Sequence, residues 1–152
     1  MRPCWYRRRP AGAAARRAPT AIAREICGHS RALQRQGLFA EAIAEFDRTG
    51  PPLRDWPVLI SAPAHACGEA GRLEEARARL ARLDQLRASR YVTAYAVALV
   101  HHALGDRELA FRWLDLAIDE RTHWLVRLAL DPRFDGLRGE PRFDGLVRRI
   151  GC

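Results

Sequence analysis

Three glycines fall at an interval that few folds can satisfy. The phrases Gly37-Leu38-Phe39-Ala40-Glu41-Ala42, Gly71-Arg72-Leu73-Glu74-Glu75-Ala76 and Gly105-Asp106-Arg107-Glu108-Leu109-Ala110 place them 34 residues apart on both occasions. Four residues after the last alanine of each phrase stand Phe46, Leu80 and Leu114, and three further on stand Thr49, Leu83 and Ala117. A glycine turn between two amphipathic stretches, repeated at this period, is what stacked helical hairpins leave in a sequence, because one hairpin cannot bury its apolar face alone. The predicted fold is all-α: a right-handed superhelix of three stacked helix-turn-helix hairpins over residues 20–121, with a short C-terminal helical cap over residues 122–152. An Arg, Ala and Pro-rich arm over residues 1–19 precedes it.

The 152 residues make one domain of ordinary size, and their formal charge of +8 invites a nucleic-acid reading until it is divided along the chain. Residues 1–20 hold six of the 26 basic residues and no acid, so 20 basic residues face 18 acids beyond Thr20 and leave +2. Charge is therefore a property of the arm. All 26 basic residues are arginine, which fits a compositional bias before it fits phosphate recognition. The arm is expected to be disordered, since it offers almost no apolar surface to bury, and nucleic acid is a candidate partner only through it, held by counterion release. Cys4, Cys27, Cys67 and Cys152 have no short paired spacing, so neither a disulfide framework nor a zinc motif follows. The most apolar stretch, Ala94 to Val100, ends at His101 and His102 and is too short to cross a membrane. A cytoplasmic protein with no membrane partner is the expectation.

Element by element, Thr20 is placed to cap a first helix in which Ile22, Ile26, His29 and Leu33 recur at helical spacing. Its partner runs from Phe39 to Arg48 and is broken by Thr49-Gly50-Pro51-Pro52. The second hairpin pairs Trp56 to Ala70 with Leu73 to Ser89, and Pro63 predicts a kink or a late start near Ser61. The third pairs Tyr91 to Leu104 with Arg107 to Arg121, Asp106 capping the latter. Leu125 to Leu130 reads as a short apolar helix. A nine-residue duplication follows, Pro132-Arg-Phe-Asp-Gly-Leu137 and Pro141-Arg-Phe-Asp-Gly-Leu146, with proline at a first helical turn after Asp131 or Glu140. Phe134, Leu137, Phe143, Leu146 and Ile150 are expected to cover the last repeat, with Trp113 and Trp124 packing beneath them and Trp56 anchoring the second hairpin.

These residues carry a resemblance. The body from about Ile22 to Arg121 resembles a tetratricopeptide repeat protein. The run Tyr91-Val-Thr-Ala-Tyr, Gly105-Asp106, Ala110-Phe-Arg-Trp-Leu, Thr122-His-Trp-Leu-Val and Asp131-Pro-Arg-Phe-Asp is similar to the C-terminal repeat region of bacterial multidomain regulators linked to winged-helix, TolB-like, cyclase or kinase domains. The resemblance implies a scaffold or adaptor that binds a peptide or partner segment on the concave face. Carried over by position, that groove comprises Arg24, Arg31, Gln34, Arg35, His65, Glu69, Tyr95, Leu99 and His102, with Cys27 and Ser61 beside them. Tyr95 and His102 would anchor a ligand, and Arg24, Arg31 and Arg35 would supply charge. The carboxylate clamp of some members is missing, since its positions hold Cys27, Arg31, Ala62, Val92 and Ala96. A detached C-terminal piece of such a regulator is the alternative.

No enzyme, cofactor or metal site is expected. His102 and Asp106 lie one helical turn apart, but His101 falls at a packing position and Asp106 at a cap. Cys67 and His65, two apart on a helix, point away from each other.

Overall fold

The computed structural model describes residues 19–50 and 53–151. The described residues form helices and no strands, and the helices pack in sequential pairs. They are α1 (Pro19–Arg35), α2 (Phe39–Asp47), a 3₁₀ turn (Leu53–Asp55), α3 (Pro57–Glu69), α4 (Leu73–Arg87), α5 (Ala94–Ala103), α6 (Arg107–Asp119), two 3₁₀ segments (His123–Leu130 and Pro132–Leu137) and α7 (Pro141–Ile150). The arm lies outside the described residues, apart from Pro19, as do Pro51 and Pro52.

The glycine frame has a direct backbone cause. Gly37, Gly71 and Gly105 have φ of 75°, 74° and 83°, the left-handed region where a Cβ is penalised. After each, an N–H reaches back five residues: Leu38 to the Leu33 carbonyl, Arg72 to Cys67 and Asp106 to His101. Those bonds satisfy carbonyls that a helix end leaves open. The frame continues once more than the three repeats recognised from sequence. Gly139, 34 residues after Gly105, has φ of 84°. The C-terminal cap is thus a fourth hairpin, whose first arm is the two 3₁₀ segments and whose second is α7.

Apolar side chains interlock from pair to pair. Ala23, Phe46, Leu53 and Leu59 join the first hairpin to α3, with Trp56 packed against them. Ile60, Leu83, Val97 and Val100 join the second hairpin to α5. Tyr95, Leu99, Phe111, Leu114, Leu125, Leu128, Phe134, Leu137, Phe143 and Leu146 fill the C-terminal half. Burying each large side chain of that set contributes about 1.5–3 kcal/mol. Phe134, Leu137, Phe143 and Leu146 therefore cover the last repeat, and Ile150 and Trp124 pack at the edge of the set. Trp113 reaches into both neighbouring clusters, with the Arg87 guanidinium 4.3 Å above its ring. At Gly68 a Cβ would stand 2.6 Å from the Ala103 carbonyl oxygen, so α3 and α5 approach backbone to backbone there.

Four local expectations are corrected. Thr20 lies within α1, which already begins at Pro19. Pro63 starts no helix and delays none: α3 runs from Pro57 through it, with Pro57 in the first turn where a missing N–H costs nothing. α5 begins at Ala94, not Tyr91, because the Thr93 hydroxyl accepts the Tyr95 N–H at 3.3 Å and caps it. Asp106 occupies the capping position of α6 without a side-chain cap bond, and its carboxylate turns to His101 Nδ1 at 3.4 Å.

The duplicated hexapeptide takes two conformations. Its first copy is 3₁₀ and its second opens α7. Tertiary contact separates them: a Cβ on Gly136 would meet the His102 ring at 3.0 Å, whereas one on Gly145 would meet nothing within 4 Å. Gly145→Ala is therefore expected to stabilise the protein by about 0.5–1 kcal/mol, the helix-interior difference between the two residues. Thermal melting checks it, and a lowered midpoint would count against this assignment.

Candidate functional site: an arginine-lined face

The face built from α1, α3 and α5 does not lie open along its length. Residues Arg127 to Gly136 of the C-terminal 3₁₀ segments lie against it and leave two cavities, about 810 Å³ and about 1100 Å³, that share Gly28, Arg31, Arg127 and Arg133. All nine predicted groove residues line these cavities. Arg31, Gln34, Arg35, His65, Glu69 and His102 line the smaller. Arg24, Tyr95 and Leu99 line the larger, which Arg31 also enters.

Asp131 fastens the C-terminal segment in place. Its Oδ2 accepts the Tyr95 hydroxyl at 2.8 Å. Arg133 donates Nε to Oδ1 at 2.9 Å and a terminal nitrogen to Oδ2 at 2.6 Å, and its backbone N–H also reaches Oδ1 at 3.1 Å. The Tyr95 ring stacks on Trp124 and meets Phe134 edge-on, with centroids 6.4 and 5.3 Å apart. Asp131 is only 8% exposed. Burial alone would raise its pKa, but the Arg133 hydrogen bonds and charge, with the Tyr95 hydroxyl, outweigh it and hold the carboxyl at about 2. Burial and the Asp131 carboxylate together push the Tyr95 phenol well above its ordinary range. Tyr95, 2% exposed, and Leu99, 1% exposed, are thus occupied by the chain itself.

In the smaller cavity His65 is 4% exposed. Its Nδ1 lies 3.4 Å from Gln34 Oε1. Its Nε2 is 3.8 Å from Glu69 Oε1, and that nitrogen is buried with no hydrogen-bond partner. Burial, then the Arg133 and His102 charges, drive its pKa down to about 3, so the ring is neutral at pH 7. His102 is half-buried beside the Phe134 ring, 5.7 Å between centroids, and burial followed by the Arg107 charge lowers its pKa too. His102 does not pair with Asp106, which is taken by His101.

Several arginines away from this face meet acids: Arg72 with Glu75, Arg77 with Glu74, Arg79 with Asp47 and Arg82 with Asp55 at 2.5–2.6 Å. Arg107 pairs with Glu140, Arg142 with Glu108 and Arg149 with Asp115. Arg24, Arg31, Arg35 and Arg127 line the cavities, and no ion pair joins any of them to a described residue. Burial, then repulsion from Arg133, lowers the Arg31 pKa, and the Arg31 Nε is buried without a hydrogen-bond partner.

The chain matches no family model, no curated protein and no solved structure. The site thus stands on its own geometry. Asp131, Arg133 and Arg127 are the members that sequence reasoning missed. Asp131-Pro132-Arg133 carries a local signal, a side chain placed to accept the N–H two residues on, but nothing in it points to Tyr95, 36 residues away. The mouth of the larger cavity was missed as well. There Glu120 Oε2 accepts from the Tyr91 hydroxyl and the Ala94 N–H, both at 3.1 Å, and the Thr93 and Thr122 hydroxyls are 3.0 Å apart. Among the described residues, no group of three His, Cys, Asp or Glu side chains is gathered to hold a metal ion. Chemically the face offers guanidinium groups, neutral imidazoles and apolar walls, a set suited to holding an anionic ligand.

Proposed function

We infer that this chain is an interaction module of the tetratricopeptide type that captures a short acidic segment of a protein partner across the α1, α3 and α5 face. One observation carries the reading: Arg24, Arg31, Arg35 and Arg127 converge on two connected cavities, and none of them forms an ion pair with a described residue. Guanidinium groups left in this state favour a ligand that brings carboxylates. Pairs of helices at the 34-residue spacing support the same reading. Recognition then falls to the arginines, because Tyr95, the anchor suggested by position, already donates its hydroxyl to Asp131.

Fluorescence anisotropy with acidic and basic peptide pools tests this. The acidic pool is expected to bind, and Arg24→Gln with Arg35→Gln should weaken it by about tenfold or more, given about 1.5–3 kcal/mol for a hydrogen bond to a charged group. Removing residues 1–18 should change it little. Equal binding of both pools would overturn the reading. Binding lost only with the arm would transfer the function to that segment, and its steep salt dependence would mark it as nucleic-acid-like.

A further inference from the structure

The smaller cavity has a charge and hydrogen-bonding pattern more specific than a general preference for acids. Arg31 and Arg35 stand on it one helical turn apart, Arg127 joins them from the C-terminal segment, and Arg133 lines the same cavity. Three acids line it also. Asp131 is consumed by Arg133, and Asp135 by Arg138 at 2.6 Å. Glu69 offsets one of Arg31, Arg35 and Arg127, which leaves a net charge of about +2 on a half-open cavity. Three buried nitrogens of its lining, Arg31 Nε, His65 Nε2 and His102 Nδ1, have no hydrogen-bond partner. With Nδ1–H of His65 donating to the Gln34 amide oxygen, Nε2 is left as an acceptor.

From this arrangement we propose that the Arg31, Arg35, Arg127 and His65 cavity is a seat for one phosphate monoester group. A phosphate monoester carries about −1.5 to −2 at pH 7, with a second pKa near 6. Its charge balances the arginines, its oxygens accept from their N–H groups, and its monoprotonated form donates an O–H to His65 Nε2. A carboxylate at pH 7 brings one charge and no donor. The two sources of such a group are a phosphorylated side chain on a protein partner and a free small phosphomonoester. The seat rests on the interaction reading only in the first case.

The test is calorimetric titration of the full chain with inorganic phosphate and with acetate, joined to ¹⁵N imidazole spectra of His65. Phosphate is expected to bind with one-to-one stoichiometry and to move the His65 Nε2 resonance, while acetate at equal concentration does neither. Arg35→Gln and Arg127→Gln, both on exposed side chains that leave the core intact, should each weaken phosphate about tenfold. Arg77→Gln, on an outer helix face, should stay within about twofold. An equal response to acetate, or phosphate binding indifferent to Arg35 and Arg127, would overturn the seat. A phosphoserine peptide that outcompetes free phosphoserine, and does so through Arg24, supports the seat with a protein source. Equal competition supports it with a small-molecule source. If acidic peptides bind through Arg24 while phosphate leaves His65 unmoved, the seat fails and the interaction reading stands. If phosphate binds but no acidic peptide does, the reverse holds.

Discussion

Asp131→Ala is expected to lower the free energy of unfolding by about 3–5 kcal/mol, the range for removing one partner of a buried pair. The deletion strands two groups at once. Arg133, whose side chain is 10% exposed, loses both guanidinium bonds, and the Tyr95 hydroxyl loses its acceptor inside an aromatic cluster with Trp124 and Phe134. Each is costly because desolvation is not reversed when the partner goes. Asp131→Asn keeps an acceptor for Tyr95 and removes the charge, so its loss should fall between wild type and alanine. Combining Asp131→Ala with Tyr95→Phe in a double-mutant cycle measures the coupling of the two side chains through the hydroxyl bond, since they share a contact and cannot act additively. Urea unfolding at pH 7 supplies all four values. A loss below about 1 kcal/mol for Asp131→Ala would place the pair in the solvent-screened class and remove the basis for a fixed C-terminal segment.

The same clasp shows where sequence reading ends. The glycine frame was legible because Gly37, Gly71 and Gly105 are imposed by local backbone geometry, and local geometry repeats. Gly139 obeys the same rule. It escaped notice because the arm preceding it is 3₁₀, so the helical apolar spacing that marks the other hairpins is absent there. The duplicated hexapeptide carries one sequence and two conformations, told apart by the approach of His102 to Gly136 and by the Asp131 cap on the first copy, which Glu140 does not give the second. Local signals also misled at Thr20 and Pro63, which lie inside α1 and α3.

For the face of α1, α3 and α5, repeat position gathered the predicted residues on one side. All nine line its cavities. What position could not supply was occupancy. Tyr95 and Leu99 look like open anchors until the segment after α6 folds back, and that return is a non-local event with no marker near either residue. Charge remained available because it is carried by Arg24 and Arg35 on α1 and Arg127 on the returning segment, and none of these forms an ion pair with a described residue.

Acidification should expose the other buried ionisable group of this face. Between pH 7 and about pH 4.5, His65 alone is expected to remove about 2–3 kcal/mol of stability, at about 1.4 kcal/mol per pH unit. The sign follows from the proton count. The folded pKa is lowered from 6.5 to about 3, so between those values the unfolded chain binds a proton that the native chain does not. Stability from this group is complete above pH 6.5, falls with pH through the window, and stops falling below about pH 3. His102, lowered by burial and by Arg107, adds in the same direction. Asp131 acts lower: its pKa is depressed from 3.8 to about 2, so its contribution is lost only as pH falls between those values. The groups around His65 do not cancel the effect. Burial dominates and the Arg133 and His102 charges oppose protonation, which outweighs the Arg133 backbone hydrogen bond and the Asp131 charge that favour it; Gln34 is neutral, and Glu69 is 3.8 Å away and partly hydrated, 46% exposed. His65→Gln keeps a polar side chain without the titration, so its unfolding free energy should decline less steeply over the same range, by up to the His65 share. Urea titrations of both proteins at a series of pH values read the difference directly. Parallel slopes would mean that water reaches the ring in the native state, and that the cavity it lines is open enough to hydrate an imidazolium.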